Sequence, residues 1–295
     1  MSESAAPRPS TCVVVVNWNG RAVLPDCLDS LHDAVDPDLR VILVDNASSD
    51  DSVAWTRARH PRVEVIETGA NLRWAGGNNA ALARLAAEGW PHDHVLLLNN
   101  DTVVQPGSLS RLGMAVAADP RAWVATPRIA YAADPQRLWY DGGRVGAWTG
   151  WIRHEGIRQP AAGRETTPRL VEYGTGCALL LTRRALQCCG LLDTIYHFYG
   201  EDVDYCLRVR HAGGGVLHVP AAVILHKVSA SLGAESLRKA YLRSRSHVRL
   251  LRRHWPRSRW WALLPAQVAY HGAHGAWHCW HGRVETARAL VDGVL

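Results

Sequence analysis

The chain has 295 residues, 47% of them apolar, which is enough for one large α/β domain plus an extension or for two small domains. That composition excludes disordered and fibrous chains, and the formal charge of +6 is modest. Seven scattered Cys without a C-x-x-C pair read as buried thiols of a reducing compartment, not as a disulfide frame or a zinc site.

Residues 1–10 are polar and contain proline, so they read as a flexible tail without a secretory signal. No later apolar run is long enough to span a bilayer, and the expected location is the cytoplasm. Cys12 to Val16 reads as a buried strand, Ala22 to Ala34 as a helix, and Arg40 to Val44 as a strand ending at Asp45. A helix through His60, a strand at Val63 to Glu67, a helix at Ala75 to Glu88 and a strand at His94 to Leu98 follow. Strands alternating with helices imply βαβ units and a mostly parallel sheet, in which ligands bind beyond the carboxyl ends of the strands. Three polar clusters fall there: Asn17-Trp18-Asn19-Gly20, Asp45-Asn46-Ala47-Ser48 and Asn99-Asn100-Asp101.

The middle, Thr126 to Pro168, reads as hairpins and loops, and its Trp139, Tyr140, Trp148 and Trp151 suit either sugar stacking or a core. Val171 to Leu181 is strand-like, Val203 to Ala212 a helix, and Val216 to Val219 and Ala222 to Leu225 two short strands.

Several residues have the chemistry of a site. Asp101, at a strand end, suits a hard divalent cation that shares phosphate ligands, or else a simple turn. Glu201, Asp202 and Asp204 put three carboxylates within four residues, which suits either a general base or a helix cap. His226 is a competent metal ligand. Asp45 stands where an acidic residue meets a nucleotide's ribose or base. In Asn71 to Asn79, Gly76 and Gly77 suit close approach of the backbone to a diphosphate, without matching a dinucleotide or Walker motif.

In order and spacing these segments resemble the family 2 glycosyltransferases of GT-A fold over roughly Thr11 to Ser231, with a rhamnosyltransferase-like cast. The carrying residues are Val15 to Gly20, Val44 to Ser48, Asn71 to Asn79, Leu97 to Asp101, Gly174 to Ala178, Gly200 to Tyr205 and His226. The resemblance implies a GT-A-like fold with a mixed, mostly parallel central sheet and a C-terminal helical extension. It implies a donor half at 11–101, an acceptor half at 102–232 and a helical extension at 233–295. It assigns Asn17, Asp45, Asn46 and Asn100 to the nucleoside side of a UDP- or dTDP-sugar, and Asn71, Arg73, Gly76 and Gly77 to the diphosphate. Asp101 and His226 would hold Mg²⁺ or Mn²⁺, Asp202 would be the catalytic base, and Glu201 and Asp204 would support it. The reaction implied is inverting transfer to a hydroxyl of a glycan, a lipid-linked glycan or a natural product. Two departures stand out: Asn99 replaces the first acid of the D-x-D motif, and Arg73-Trp74 replaces smaller residues. A nucleotidyltransferase and a non-catalytic nucleotide-sugar binding protein are the rival readings.

From Ser236 to Val284 there is no Asp or Glu, while Arg243 to Arg259 places cations among Leu250, Leu251 and Trp255. Such a segment suits either an amphipathic helix on an anionic membrane, along 238–261 at the inner face of the plasma membrane, or a helix packed on the domain. No nucleic-acid motif accompanies it. His271, His274, His278 and His281 share one helical face, readable as a metal site or a polar surface.

Overall fold

A computed structural model describes residues 9–32, 39–228 and 237–294. Most of the expected N-terminal tail, the end of the first helix at Asp33 and Ala34, and the boundary at 232–233 lie outside those residues.

The strands are β1 (Thr11–Asn17), β2 (Arg40–Asp45), β3 (Glu64–Glu67), β4 (His94–Asn99), β5 (Thr102–Val104), β6 (Ala122–Tyr131), β7 (Asp134–Tyr140), β8 (Gly143–Val145), β9 (Ile152–His154), β10 (Arg169–Val171), β11 (Ala178–Thr182) and β12 (Gly215–His226). The helices are α1 (Leu24–His32), α2 (Ser52–Arg59), α3 (Arg73–Ala87), α4 (Ser108–Ala118), α5 (Arg183–Cys189), α6 (Glu201–His211), α7 (Leu237–His254), α8 (Trp260–Trp280) and α9 (Val284–Asp292).

Val13, Val14 and Val15 in β1 and Leu96 and Leu97 in β4 are fully buried, as continuous apolar runs require when helices cover both faces of a sheet. The main sheet runs β10-β12-β6-β11-β4-β1-β2-β3. Pairing is parallel from β4 through β3 and between β6 and β12, and antiparallel where β11 joins β4 to β6. β5 and β7 branch from β12 and β6, and β8 with β9 makes a separate ribbon.

Two expectations need correction. β6 is a ten-residue, almost wholly buried strand that starts before the segment read as hairpins and loops and continues through residues 126–131 within it, as a central strand of the main sheet; its Ala, Thr, Pro and Arg carry little strand signal. The two short strands expected around Pro220 are one, β12, because the register shift between Val219 and Val223 absorbs the proline as a bulge.

The extension is anchored on the rest by polar contacts. Ser246 Oγ donates to the Phe198 carbonyl at 3.0 Å, and Trp255 Nε1 to that of Ala147 at 2.9 Å. Arg253 pairs with Asp193. Leu250, Leu251 and Trp255 are buried against the protein, so the apolar face of α7 is not available to a bilayer as the 238–261 reading requires. The four histidines do not share one outward face either. His271 is partly buried, His278 fully buried and His281 exposed, and no cluster of three or more metal-ligand side chains occurs among the described residues.

Candidate active site

At the carboxyl ends of β4 and β12 lies a cleft of about 470 Å³. Register explains how its two halves meet. His226, the last residue of β12, pairs with Thr102 of β5, which sets its ring against Asp101. His226 Nε2 stands 3.2 Å from Asp101 Oδ1. Burial lowers the His226 pKa, but Cys177 and Asp101 outweigh it and raise it to about 10. A carboxylate and an imidazole form a partial shell for a divalent cation, whose remaining ligands would come from phosphate and water. His226 Nδ1 is buried without a hydrogen-bond partner among the described residues, and the ring is flanked by the Cys177 thiol and the Trp139 ring.

Across the cleft, the chain enters α6 through two left-handed residues, Tyr199 (φ 65°) and Gly200 (φ 96°). The second is glycine for a reason beyond φ: a Cβ there would lie 2.9 Å from Leu250 Cδ1 of α7. The turn exposes Glu201 and Asp202 to the cleft at a helix N-terminus, where the dipole favours anions. Asp202 Oδ2 accepts from the Gly176 amide at 2.7 Å and Oδ1 from that of Val203 at 2.8 Å. Burial raises the Asp202 pKa against those two bonds; burial and the charge of Asp202 raise that of Glu201. Glu201 Oε2 is buried and without a hydrogen-bond partner.

Asp204 does not stand beside Asp202 in the cleft, as the expected supporting role requires. It lies on the opposite side of the helix, fully buried, accepting from Arg208 Nε and His254 Nε2, each at 2.8 Å, and from the Tyr196 hydroxyl at 3.2 Å. Burial would raise its pKa, and the His254 and Arg208 bonds reverse that, lowering it. Its role is to tie α6 to α7.

The nucleoside-side residues are knit to one another. Asn17, Asp45 and Asn46 are at most 2% exposed. Asn17 Nδ2 donates to Asp45 Oδ1 at 3.1 Å, Asn100 Nδ2 to Asn17 Oδ1 at 2.8 Å, and Ser48 to both Asp45 oxygens. As arranged they brace the strand ends, and the exposed group beside them is Trp18. The diphosphate loop is also different from expectation. Gly76 and Gly77 lie inside α3, where a Cβ would come 2.8 Å from Leu72 Cβ or from Val16 Cγ1, so their smallness serves helix packing. Ahead of them, Asn71 Oδ1 accepts from the Arg73 amide, and the Arg73 carbonyl accepts from Asn46 Nδ2. Burial lowers the pKa of His197 on the cleft rim, helped by Arg73, Arg249, Arg238 and Arg245, which marks a gathering of cations there.

The two departures at Asn99 and Trp74 prove to be one arrangement. Trp74 Nε1 donates to Asn99 Oδ1 at 3.0 Å, and its ring covers Gly176, where a Cβ would lie 2.9 Å from Cζ2. Trp139 was left without a role by sequence reasoning; it lines the cleft, its ring edge-on to His226 at 4.6 Å, whereas Tyr140 is core. Its aromatic neighbours in sequence are no guide to which ring turns inward.

The sequence pattern described as "Glycosyl transferase family 2" matches residues 12–190. The N-acetylglucosaminyl-diphospho-decaprenol L-rhamnosyltransferase of Mycobacterium tuberculosis (strain ATCC 25618 / H37Rv) is 30% identical over 275 residues, covering 84% of this chain and 85% of that protein. Among solved structures, GalNAc-T7 with UDP, GalNAc and Mn²⁺ superposes with a TM-score of 0.62 at 15% identity, over 83% of this chain and 48% of that one. The mannosyltransferase PcManGT of Pyrobaculum calidifontis, with GDP-Man and Mn²⁺, gives 0.61 at 17%, over 96% and 74%. These two likenesses establish the GT-A-like fold. The chain belongs to glycosyl transferase family 2 and is a glycosyltransferase working from a nucleotide-sugar donor.

Proposed function

We propose that the enzyme transfers a sugar with inversion from a UDP- or dTDP-sugar to a hydroxyl of a lipid-linked glycan. The observation that carries this reading is the pairing, in one cleft, of the Asp101–His226 couple with the pKa-raised Asp202. Asp101 and His226 hold Mg²⁺ or Mn²⁺, which supplies charge neutralisation for the departing diphosphate. Asp202 accepts the proton of the acceptor hydroxyl, its two amide bonds fixing the carboxylate's direction. Burial and the Asp202 charge raise the Glu201 pKa, which favours its protonated form and so a hydrogen-bond donor beside the base. The base of the nucleotide stacks on Trp18 above the Asn17–Asp45–Asn100 brace, and the cations around His197 meet the diphosphate. In this division, 11–101 forms the donor half, 102–232 the acceptor half and 233–295 the extension.

The lipid-linked acceptor follows the printed activity of the mycobacterial relative, an N-acetylglucosaminyl-diphospho-decaprenol L-rhamnosyltransferase. The surface of the extension agrees with it. α8 has no Asp, Glu, Lys or Arg, and it exposes Trp261 (74%), Val268 (72%) and Trp280 (88%) beside Arg257, Arg259 and Arg283. Exposed Trp with a cationic margin seats a helix at an anionic bilayer surface. No described helix is long and apolar enough to cross a membrane.

The test is thermal stabilisation by UDP, dTDP and GDP, each with and without Mg²⁺ or Mn²⁺. Metal-dependent stabilisation by UDP or dTDP that is lost in Asp101→Ala supports the reading. Equal stabilisation with and without metal, or in Asp101→Ala, sinks the metal assignment.

A further inference from the structure

A second cavity, of about 210 Å³, lies between the start of α6 and the underside of α7 and α8. It shares three residues with the cleft, His154, Tyr199 and Asp202, so Asp202 stands in the wall common to both. Only the cleft contains Asp101 and His226. Back-side displacement puts nucleophile and leaving group on opposite sides of the anomeric carbon. With the diphosphate on the Asp101–His226 side, the attacking hydroxyl arrives on the far side of the anomeric carbon, within reach of Asp202, and Asp202 also walls this cavity.

The lining has the chemistry of a sugar site. Three buried polar atoms on its roof have no hydrogen-bond partner: Ser244 Oγ of α7, and Nδ1 and Nε2 of His271 from α8. A buried polar atom without a partner is costly, so a ligand bearing hydroxyls would be bound there by hydrogen bonds the protein itself does not make. Burial, with help from His247, His274 and Arg243, lowers the His271 pKa to about 4, which leaves a neutral ring with one donor and one acceptor. A sugar hydroxyl is likewise both donor and acceptor. The Tyr199 and Tyr270 rings add apolar faces for the ring of a sugar. The volume equals about seven waters, room for one hexose but not for a chain of them.

We propose that this cavity is the acceptor subsite, and that Ser244 and His271 of the helical extension recognise hydroxyls of the acceptor's terminal sugar. The inference rests on the inverting, lipid-linked reading above. In the step it serves, the acceptor O–H gives its proton to Asp202 and the acceptor oxygen bonds to the anomeric carbon. The bond from that carbon to the diphosphate oxygen breaks, and its electron pair leaves with the nucleoside diphosphate. Specificity for the acceptor then lies partly in a segment beyond residue 190, where the family match ends.

The experiment titrates the full-length protein, saturated with UDP or dTDP and Mn²⁺, with an N-acetylglucosaminyl-diphospho-lipid carrying a short, water-soluble prenyl chain. Wild type should bind it. His271→Ala and Ser244→Ala should each weaken that binding about tenfold while nucleotide affinity holds, and His271→Gln should restore part of the loss. Unchanged probe affinity in both alanine variants overturns the proposal and leaves the parent reading standing. Failure of wild type to bind the probe overturns it as well. Loss of nucleotide binding by the wild type removes the parent reading and this one together.

Discussion

The first turn of α6 has two faces with opposite duties. Toward the cleft, Asp202 is held by backbone amides alone, and its pKa is raised. Two residues on, Asp204 is enclosed by Arg208, His254 and Tyr196, and its pKa is lowered. One carboxylate is left available by the scarcity of partners, and the other is made structural by their abundance. The lesson is that the helical extension is fastened directly behind the proposed base.

The largest effect expected is in Asp202→Asn, which should lower the transfer rate about 100- to 10,000-fold in a steady-state assay while nucleotide binding persists. A variant with near-native turnover would erase the distinction between the faces. Asp204→Ala should instead cost about 3–5 kcal/mol, because Arg208 and His254 lose a buried partner. Differential scanning calorimetry should show a fall in Tm of about 10 °C; a change under about 2 °C would mean the extension is not held there.

Acid should separate the two faces in the unmodified protein. Asp202 has a raised folded pKa, so its ionised form is lost as pH falls through a value above the ordinary carboxylate figure of about 3.9. Asp204 has a lowered folded pKa, so its stabilisation is present above the unfolded value and disappears only as pH falls through the folded one. Between those limits the rate should drop while Tm holds or rises, since protonating Asp202 relieves the cost of its buried charge, as paired kinetic and calorimetric profiles would show; a joint decline would contradict the assignment. The smallest effect concerns the cleft alone. Asn99→Asp should tighten Mn²⁺ roughly tenfold in a titration by adding a carboxylate near Asp101, and Trp74→Phe, by freeing the Asn99 oxygen, should change stability by about 1 kcal/mol.

Much of this arrangement is legible in the chain. β1, β2 and β4 are readable because their runs are apolar without interruption, and the strand-end clusters follow from them. The Asp101–His226 meeting is legible only through the family resemblance, since on the residues alone it depends on β5 and β12 pairing across a long interval. The side of Asp204 could have been read: at 100° per residue it lies about 200° round from Asp202, and Arg208 follows at i+4. Gly76-Gly77 misleads because glycine marks tight packing as readily as a ligand loop, and the contact with Val16 is visible only in three dimensions. The second cavity has no local signature, for its walls come from segments about 120 residues apart, Ile152 to His271 and beyond.

The fit of Leu250 into the space left by Gly200 has a bearing on engineering. Because the absent Cβ and the incoming leucine are complementary, catalytic core and extension are not interchangeable modules. A chimaera that takes its helices from a relative must import the matching residue at the turn as well. Otherwise the transplanted helix will displace the very turn that places Asp202.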